Sequence, residues 1–296
     1  MADLALIKKL RDTTGCGIAD CNKALAATSD NVEEAIDWLR KKGLSSAAKK
    51  SGRVTSEGAV AVNVLGKKAS IIEVNSETDF VARNQKFQDL VTKFAAEALS
   101  FGDDIAKFQA AKDEEVKEQI SVIGENINLR RIASLEVSQG LVVSYVHNAT
   151  APNMGKIAVL VALESPASEE KLLEFGKQLA MHIAAAKPEA LEIEAVDPTR
   201  LARETEVLKD QARASGKPES IIDKMIEGRI RKYYEEVVFL EQLFVMDDKL
   251  KIKDLLSNFG KENGATKVSG FKLFVLGDGI EKKENDFAAE VASMTK

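Results

Sequence analysis

The sequence contains few of the residues on which zinc sites, disulfide scaffolds and nucleophilic catalysis depend. Among its 296 residues are two cysteines, Cys16 and Cys21, and two histidines, His147 and His182. These side chains are too few and too scattered for a structural zinc site. The cysteines form one reducible pair at most, and we interpret them as free thiols in a reducing compartment. With only two histidines, the chain also has few ways to place a histidine as general base beside a nucleophilic side chain.

Recognised catalytic and nucleotide-binding motifs are absent as well. The chain has no GxSxG nucleophile elbow, no GxxxxGK[ST] phosphate loop and no HExxH zinc motif. The glycine spacings in "TGCG" and "GDG" lack a complete dinucleotide fingerprint, so we interpret both as turns. We therefore predict no catalytic residue, no cofactor and no bound metal. An enzyme of an unrecognised type stays open as an alternative, but no pattern favours it.

The chain also lacks a dominant charge of one sign and a long apolar run. Its net charge is −5 with a pI near 5.4, and lysines and arginines are interleaved with acidic residues. No overall field attracts a polyanion, so direct nucleic-acid binding is disfavoured. No window approaches the roughly 18 apolar residues of a membrane helix, and "MADLALIKKL" does not have the pattern of a signal peptide. We expect a cytoplasmic protein without a membrane partner.

Aromatic residues are scarce, at 5% of the chain, whereas 45% of the residues are apolar and 30% are charged. Abundant Ala, Glu, Lys, Leu and Val favour helices with some sheet over an all-β protein. A chain of this length accommodates several modules. The expected fold class is therefore a helix-dominated, multi-module α+β protein.

Residues 1–50 are predicted to form a separate three-helix module. Leu4, Ile7 and Leu10 share one face of the first helix, the glycines of "TTGCGI" end it, and "ADCNKALAAT" is the second helix. The third helix begins after a predicted N-cap at Asp30, with Glu33 at the capping-box position. Its apolar stripe consists of Val32, Ala35, Ile36 and Leu39. The glycines, serines and basic residues of "KKGLSSAAKKSGRVTSEG" mark a linker, which we place at 51–58.

An internal repeat predicts two related α+β core subdomains with small antiparallel sheets, at 59–140 and 141–280. The first contains the hairpin "AVAVNVLGKKASIIEVNSE", a helix, a second helix and the strand "ASLEV". The apolar stripe of its first helix is Phe87, Leu90, Val91, Phe94, Ala95 and Ala98, and that of its second is Val116, Ile120, Ile123 and Ile127. The second subdomain repeats this order in "LVVSYVHNATAPNMGKIAVLVALES", "KLLEFGKQLAMHIAAA" and "KVSGFKLFVLGDG". We matched "ESIIDKMIEGRIRKYYEEV" with "GENINLRRIASLEV", since both place arginines at a predicted helix end.

Two further helical segments lie outside this repeat. A polar, helix-rich insertion at about 190–228 has capping residues before its first helix and a stop at "ASGKP", which predicts a projecting helical hairpin. Residues 281–296 contain "NDFAAEVASM", which we predict as a C-terminal helix. Outside these segments, we interpret His147 as a solvated or partner-facing histidine at the end of a strand, and His182 as a packed or half-exposed helix histidine.

The stretch "SETDFVARN" has two interpretations. In the first, Thr78 or Asp79 caps a helix and Phe80 turns into the core, as buried phenylalanines usually do. In the second, Phe80 belongs to a tip that enters another molecule. The C-terminal "NDFAAEVA" has the same Asp-Phe pair, so local signals do not separate the two interpretations.

The order and spacing of several motifs resemble the bacterial elongation factor Ts family across essentially the whole chain. These motifs are "TGCGIADCNKAL", "AAKKSGR", "EVNSETDFVARN", "IGENINLRR", "AMHIAAAKPE", "MIEGRIRKYYEEVVFLEQLFVMDD" and "DFAAEVASM". The resemblance implies an N-terminal ubiquitin-associated (UBA-like) three-helix module, two core subdomains, an inserted coiled-coil hairpin and a C-terminal helical module. It also implies a guanine nucleotide exchange factor for elongation factor Tu, which binds the GDP-bound and nucleotide-free forms of that GTPase.

The resemblance assigns the partner-binding loop to Thr78, Asp79, Phe80 and Val81, which would enter the GTPase beside its nucleotide and help to displace its magnesium ion. We accordingly expect Phe80 to be exposed in the free protein. Weaker assignments are Ile18 of the N-terminal module, His147 of the second core subdomain and Phe287 of the C-terminal helix. Relatives often carry a second bulky residue where this chain has Ala19, so only Ile18 is transferred. The hairpin is a candidate for pairing two copies. A scaffold whose three-helix module binds ubiquitin-like partners is the alternative to an exchange factor.

Overall fold

The computed structural model describes residues 3–214 and 219–280. The helices are α1 (Leu4–Thr14), α2 (Ile18–Ala27), α3 (Val32–Lys50), α4 (Asp79–Ala82), α5 (Gln85–Ala98), α6 (Ile105–Ile123), α7 (Glu169–Ala186), α8 (Pro198–Ala214), α9 (Glu219–Val237) and α10 (Ile252–Asn263). The strands are β1 (Glu57–Leu65), β2 (Lys68–Ser76), β3 (Ile127–Glu136), β4 (Gly140–Ala151), β5 (Met154–Glu164), β6 (Leu243–Phe244), β7 (Asp247–Lys251) and β8 (Lys267–Val275). The predicted C-terminal helix, with Phe287, lies outside the described residues.

The first three helices pack around one small apolar core, as predicted. Its buried side chains are Ile7, Leu10, Cys16, Cys21, Ala24, Leu25, Ala35 and Leu39. Two details of the prediction are wrong. Leu4 is 82% exposed because it lies in the first turn of α1, beyond the packed face. The N-cap of α3 is Asn31, whose Oδ1 accepts from the amides of Glu33 and Glu34 at 3.1 and 3.3 Å, whereas Asp30 has a positive φ of 65°.

The segment after Arg40, which we interpreted as the start of a linker, is the second half of α3, and helix α3 continues to Lys50. Its packing against α6 explains the difference. Ala47 is buried in the core beneath α6. A Cβ at Gly43 would lie 2.9 Å from the Ser121 side chain, so this glycine allows the two helices to approach closely. Glycine here serves helix packing rather than flexibility, and the irregular connection before β1 begins at residue 51.

The core sheet consists of two related antiparallel halves, as the repeat predicted. In one half β2 lies between β1 and β3, and in the other β5 lies between β4 and β8. A short pairing of Val60 with Gly155 and of Ala61 with Met154 joins β1 to β5, so the strands form one six-stranded sheet. The α+β class and the small antiparallel sheets are confirmed.

Alternating side chains along each strand divide the core into layers. In β5, Val159, Val161 and Leu163 pack against α7 and α10, whereas the side chains between them point to the opposite face. That opposite face packs against β1, β2 and β3 through a shared apolar cluster. Helices α5 and α6 cover the outer face of β1 to β3 through a third cluster. Helices therefore lie on the two outside faces, with the two sheet halves between them.

Two sequence assignments in the repeat are wrong. Ile127 is not part of the second helix, because Gly124, with φ 90°, ends α6 and Ile127 begins β3. Arg130 and Arg131 therefore lie in a strand rather than at a helix end. The segment that we matched with them is α9 of the hairpin, and α10 takes the place of the second helix before β8. Isoleucines spaced three or four apart satisfy a helix pattern even across this boundary.

The inserted hairpin is formed by α8 and α9. Ala212 and Ile226 are buried between the two helices, and Ile230 packs against them. The second helix extends to Val237, beyond the predicted end near residue 228, because no proline or helix-ending turn interrupts "GRIRKYYEEV". At the base of the hairpin, Val238 forms a bridge with Ala190, which anchors the insertion to the second subdomain.

Candidate functional site

The loop that follows β2 presents an aromatic side chain to solvent. Helix α4 has four residues, and Phe80, the second of them, is 78% exposed. Val81 and Ala82 are buried in the core beneath α5. Successive helical residues point about 100° apart, so the burial of the two following side chains turns Phe80 outward. The expected exposure of Phe80 is confirmed, and the interpretation with Phe80 in the core is wrong.

The chain leaves this short helix in a defined way. The amides of Arg83 and Asn84 donate to the carbonyls of Phe80 and Val81 at 3.2 and 2.9 Å. Asn84 then caps α5, since its Oδ1 accepts from the amide of Lys86 at 2.9 Å. Both ends of the loop are therefore attached to core elements, β2 on one side and α5 on the other.

Asp79 forms an exposed ion pair on helix α4. Its Oδ2 pairs with Nη2 of Arg83 at 2.9 Å, one helical turn away, and both side chains are exposed. Pairs of this kind contribute about 0.3–0.5 kcal/mol, because water competes for both charges. Replacing Arg83 by another hydrogen-bond donor at Asp79 would therefore cost little free energy.

Thr78 occupies the N-cap position of α4 but makes no side-chain cap there. Its amide and its hydroxyl instead donate to the two carboxylate oxygens of Glu125, at 2.9 and 2.6 Å. The neighbouring Glu77 accepts from the amide of Asn126 at 2.6 Å. Sequence reasoning missed Glu125 and Asn126 as supports of the loop. They lie in "IGENINLRR", which carried the family resemblance, but no local pattern indicates a contact about 47 residues away along the chain.

Ile18, at the start of α2, is 57% exposed, in agreement with a surface role. The preceding turn rests on the core, where Nζ of Lys86 donates to the carbonyl of Gly15 at 3.2 Å. Val122 of α6 packs against the apolar core of the N-terminal module. These contacts bring the "TGCG" turn to the start of α5, which directly follows the Phe80 loop in the chain.

His147 is exposed. Our prediction that it lies at the end of a strand is wrong. Strand β4 continues to Ala151, with an irregularity in its pairing between Ala149 and Ala151, and Asn148 has a positive φ of 52°. The His147 Nδ1 atom is 3.0 Å from the hydroxyl of Tyr145. Strand β4 is an edge of the sheet, and the His147 side chain is exposed there. Its role in partner binding stays a prediction.

Of the two predicted alternatives for His182, packed or half-exposed, the structure shows the packed one, and the residue does not belong to the candidate site. Its Nδ1 accepts from the amide of Val245 at 3.3 Å, which leaves Nε2 to donate to Oε1 of Gln242 at 2.9 Å. Burial lowers the pKa of His182 more strongly than the hydrogen bond to Gln242 raises it, so the ring is held neutral. The imidazole ring of His182 contacts the aromatic rings of Phe239 and Phe244.

Within residues 3–214 and 219–280, no group of three or more His, Cys, Asp or Glu side chains is arranged to hold a metal ion. In the same part of the chain, none of the helices combines the length and the apolarity that crossing a membrane requires. The candidate site consists of an exposed aromatic ring, Phe80, and the carboxylate of Asp79 on a short helix that is attached to core elements at both ends.

Comparison with known proteins identifies relatives over nearly the full length. The family model described as "Elongation factor TS" matches residues 77–278. Elongation factor Ts of Rhodospirillum centenum is 56% identical over 299 residues, covering 98% of this chain and 97% of the relative. Elongation factor Ts of Paramagnetospirillum magneticum is 55% identical, covering 98% of this chain and 96% of the relative. That of Rhodospirillum rubrum is 52% identical, covering 99% and 98%.

Proposed function

The chain belongs to the elongation factor Ts family, and on this premise we propose that it is a guanine nucleotide exchange factor of elongation factor Tu in translation elongation. The observation that carries the mechanism is Phe80, which is 78% exposed on a short helix anchored at both ends. An exposed aromatic ring on a supported loop is suited to fill a pocket in a partner. In this proposal the protein is a binding protein and not an enzyme.

The partner's chemistry explains how such a loop releases GDP. A GTPase holds its nucleotide through backbone amides, a lysine and a magnesium ion that bridges the phosphates. Magnesium requires near-octahedral geometry at short distances, so small displacements of its ligands weaken the binding of the ion. Phe80 would wedge between elements of the GTPase beside this site, and Asp79 would compete for their hydrogen-bond donors. The Thr78–Val81 loop thereby dislodges the ion and promotes GDP release.

Thermodynamic linkage between nucleotide binding and factor binding then determines the remaining steps of the exchange cycle. A factor that binds the empty GTPase more tightly than the loaded form lowers the affinity for nucleotide by the same ratio, and incoming nucleotide lowers the affinity for the factor. Each 1.4 kcal/mol of coupling free energy changes these affinities about tenfold. The factor stays bound until GTP enters and reverses the coupling.

The core of this chain keeps the loop in its binding shape. Burial of Val81 and Ala82 under α5 sets the direction of Phe80 before the partner arrives. A preorganised side chain loses less conformational entropy on binding, so more of its contact energy is left for displacing the nucleotide.

Other surfaces would add affinity without taking part in magnesium displacement. These are Ile18 on the N-terminal module, His147 on the edge strand of the second subdomain, and Phe287, which lies outside the described residues. The protein would act in the cytoplasm and would not contact nucleic acid directly, in keeping with its net charge of −5.

Removal of magnesium tests the proposed mechanism. If the loop acts by dislodging the ion, chelation of Mg²⁺ should accelerate GDP release from elongation factor Tu alone, and the further acceleration by this protein should shrink about tenfold or more. The measurement is stopped-flow release of a fluorescent GDP in Mg²⁺ and in EDTA. An acceleration factor that is the same in both buffers would contradict a magnesium-based mechanism, even if exchange itself is observed.

The inserted hairpin would pair two copies of the protein. Its own seam is filled by Ala212 and Ile226, while Val207 of α8 is exposed on the outside. Sedimentation equilibrium of the wild type should show masses rising from 32.2 kDa toward twice that value with concentration, and Val207→Glu should stay monomeric. A wild type that remains monomeric at all concentrations would rule out this pairing.

A further inference from the structure

Two neighbouring turns exchange carboxylate contacts next to the Phe80 loop. The first turn joins β2 to α4 and contains Glu77 and Thr78. The second joins α6 to β3 and contains Glu125 and Asn126. The carboxylate of Glu125 accepts from the amide and the hydroxyl of Thr78, and that of Glu77 accepts from the amide of Asn126. Each turn therefore supplies the acceptor for a backbone amide of the other. We call this pair of contacts the carboxylate clasp.

We propose that Glu125 is a positioning residue of the exchange loop, which it holds through the amide and hydroxyl of Thr78. This deepens the proposed function and rests on it. Thr78 lies two residues before Phe80, at the N-cap of α4, where its own hydroxyl would ordinarily cap the helix. The hydroxyl is committed to Glu125 instead, so a residue from a different element determines the conformation at the start of the loop.

The geometry restricts the backbone as well as the side chain of Thr78. Both carboxylate oxygens bind groups of one residue, at 2.9 and 2.6 Å. Two contacts to charged oxygens remove the rotation that a single hydrogen bond would leave, and each is stronger than a neutral hydrogen bond. The Thr78 carbonyl is also held, because the hydroxyl of Ser76 donates to it at 2.9 Å. Together these contacts leave Thr78 few alternative conformations.

The clasp also reaches the connection to the N-terminal module. Asn126 is buried, and its Nδ2 donates to the carbonyls of Arg53 and Ser51 at 3.0 and 3.4 Å. Arg53 in turn pairs with Glu77 at 3.2 Å. The second turn thus contacts the loop on one side and the segment that follows α3 on the other. A partner that binds both the N-terminal module and Phe80 would meet two surfaces held by the same few residues.

Substitutions at one position separate positioning from charge. Glu125→Ala removes both acceptors. Glu125→Gln keeps both contacts, because its side-chain oxygen accepts from the Thr78 amide while its NH₂ group donates to the Thr78 hydroxyl. Glu118→Ala is the matched control. Glu118 is an exposed acidic residue of α6, so its replacement by alanine removes the same charge as Glu125→Ala. If Glu125 acts by positioning Thr78, the glutamine variant should retain most of the Thr78 amide protection and of the GDP release rate that the alanine variant loses.

Two measurements are compared for each variant. Amide hydrogen exchange of the free protein should show the Thr78 amide exchanging about tenfold faster in Glu125→Ala, while amides of the β1–β2 hairpin are unchanged. The maximal rate of GDP release at saturating factor should fall about tenfold, with a smaller change in the half-saturating concentration, because other contacts supply affinity. Glu125→Gln should lie near the wild type, and Glu118→Ala should equal it in both measurements.

Three results would overturn the proposal. They are an unchanged Thr78 amide in Glu125→Ala, an equal acceleration of Thr78 and of the β1–β2 amides, and an unchanged release rate despite a loosened Thr78. If the wild type itself fails to stimulate release, the proposed function fails, while hydrogen exchange of the free protein still decides whether Glu125 holds the loop. The two failures are therefore distinguishable.

Discussion

Replacing Phe80 with alanine should lower the factor-stimulated rate of GDP release about 100-fold, which corresponds to about 2.7 kcal/mol. This size is typical of an aromatic residue that fills a pocket at the centre of an interface. The fold should not suffer, because Phe80 is 78% exposed in the free protein and has little packing to lose. Stopped-flow release of labelled GDP and thermal unfolding of the same preparation measure the two effects.

A matched control exists on the same subdomain. Leu65, the last residue of β1, is 63% exposed and is likewise a large apolar side chain away from the candidate site. Leu65→Ala should leave both the release rate and the melting temperature unchanged. The comparison also separates the exchange factor from the alternative of a scaffold, since a scaffold that binds through its three-helix module would be indifferent to Phe80. Equal rates for Phe80→Ala and the wild type would remove the loop from the mechanism.

Replacing Glu73 with alanine should lower the free energy of unfolding by about 3–5 kcal/mol, the usual cost of removing one partner from a buried ion pair. Glu73, in β2, is fully buried and pairs with Arg130 and Arg131 of β3 at 2.9 and 2.6 Å. Its Oε1 also accepts from the side-chain Nδ2 of Asn75 at 3.1 Å and from the backbone amide of Gly277 at 2.9 Å. Because Gly277 follows β8, this carboxylate joins the two halves of the core. Urea unfolding at pH 7 measures the change.

The same carboxylate predicts the pH dependence. Burial by itself would raise the pKa of Glu73, but the hydrogen bonds from Gly277, Arg130 and Asn75 and the charge of Arg131 outweigh it and lower the pKa. A lowered pKa stabilises the fold above the ordinary glutamate value of about 4.3, and this contribution is lost as the pH falls through the folded-state pKa. The stability difference between wild type and Glu73→Ala should therefore be largest near neutral pH and shrink under acid conditions.

An exposed pair on the neighbouring strands is the control for Glu73. Glu136 of β3 pairs with Lys68 of β2 at 2.8 Å, and both side chains are exposed. Glu136→Ala should cost less than about 1 kcal/mol and show little pH dependence, because water screens the pair. A similar loss in both variants would mean that the Glu73 network does not hold the two halves together.

Sequence reasoning succeeded where the determining contacts are close along the chain. The stripe of α5 from Phe87 to Ala98 and the hairpin of β1 and β2 follow from periodicity, and both are confirmed. It erred where two local signals compete. Asp30 and Asn31 are both good capping residues, and only the positive φ of Asp30 excludes it. Ile127 continued a helical pattern that Gly124 had already ended.

Long-range contacts were beyond sequence reasoning. The Glu73 network joins residues about 57 and 204 positions apart, and no period or motif connects them. The same holds for Glu125 and Thr78. Phe80 is intermediate: its local pattern favoured burial, and only the resemblance to a family favoured exposure. The physical reason for the exposure is that Val81 and Ala82 occupy the inward side of a helix with too few residues to bury more.

Nucleotide exchange is tested by the rate at which purified elongation factor Tu releases labelled GDP in the presence of excess unlabelled GDP, with and without this protein. If the protein is an exchange factor, catalytic amounts of it should accelerate release by at least about 100-fold, and the acceleration should rise with its concentration until it saturates. A release rate that is the same at every concentration of a folded protein would contradict the proposed exchange function.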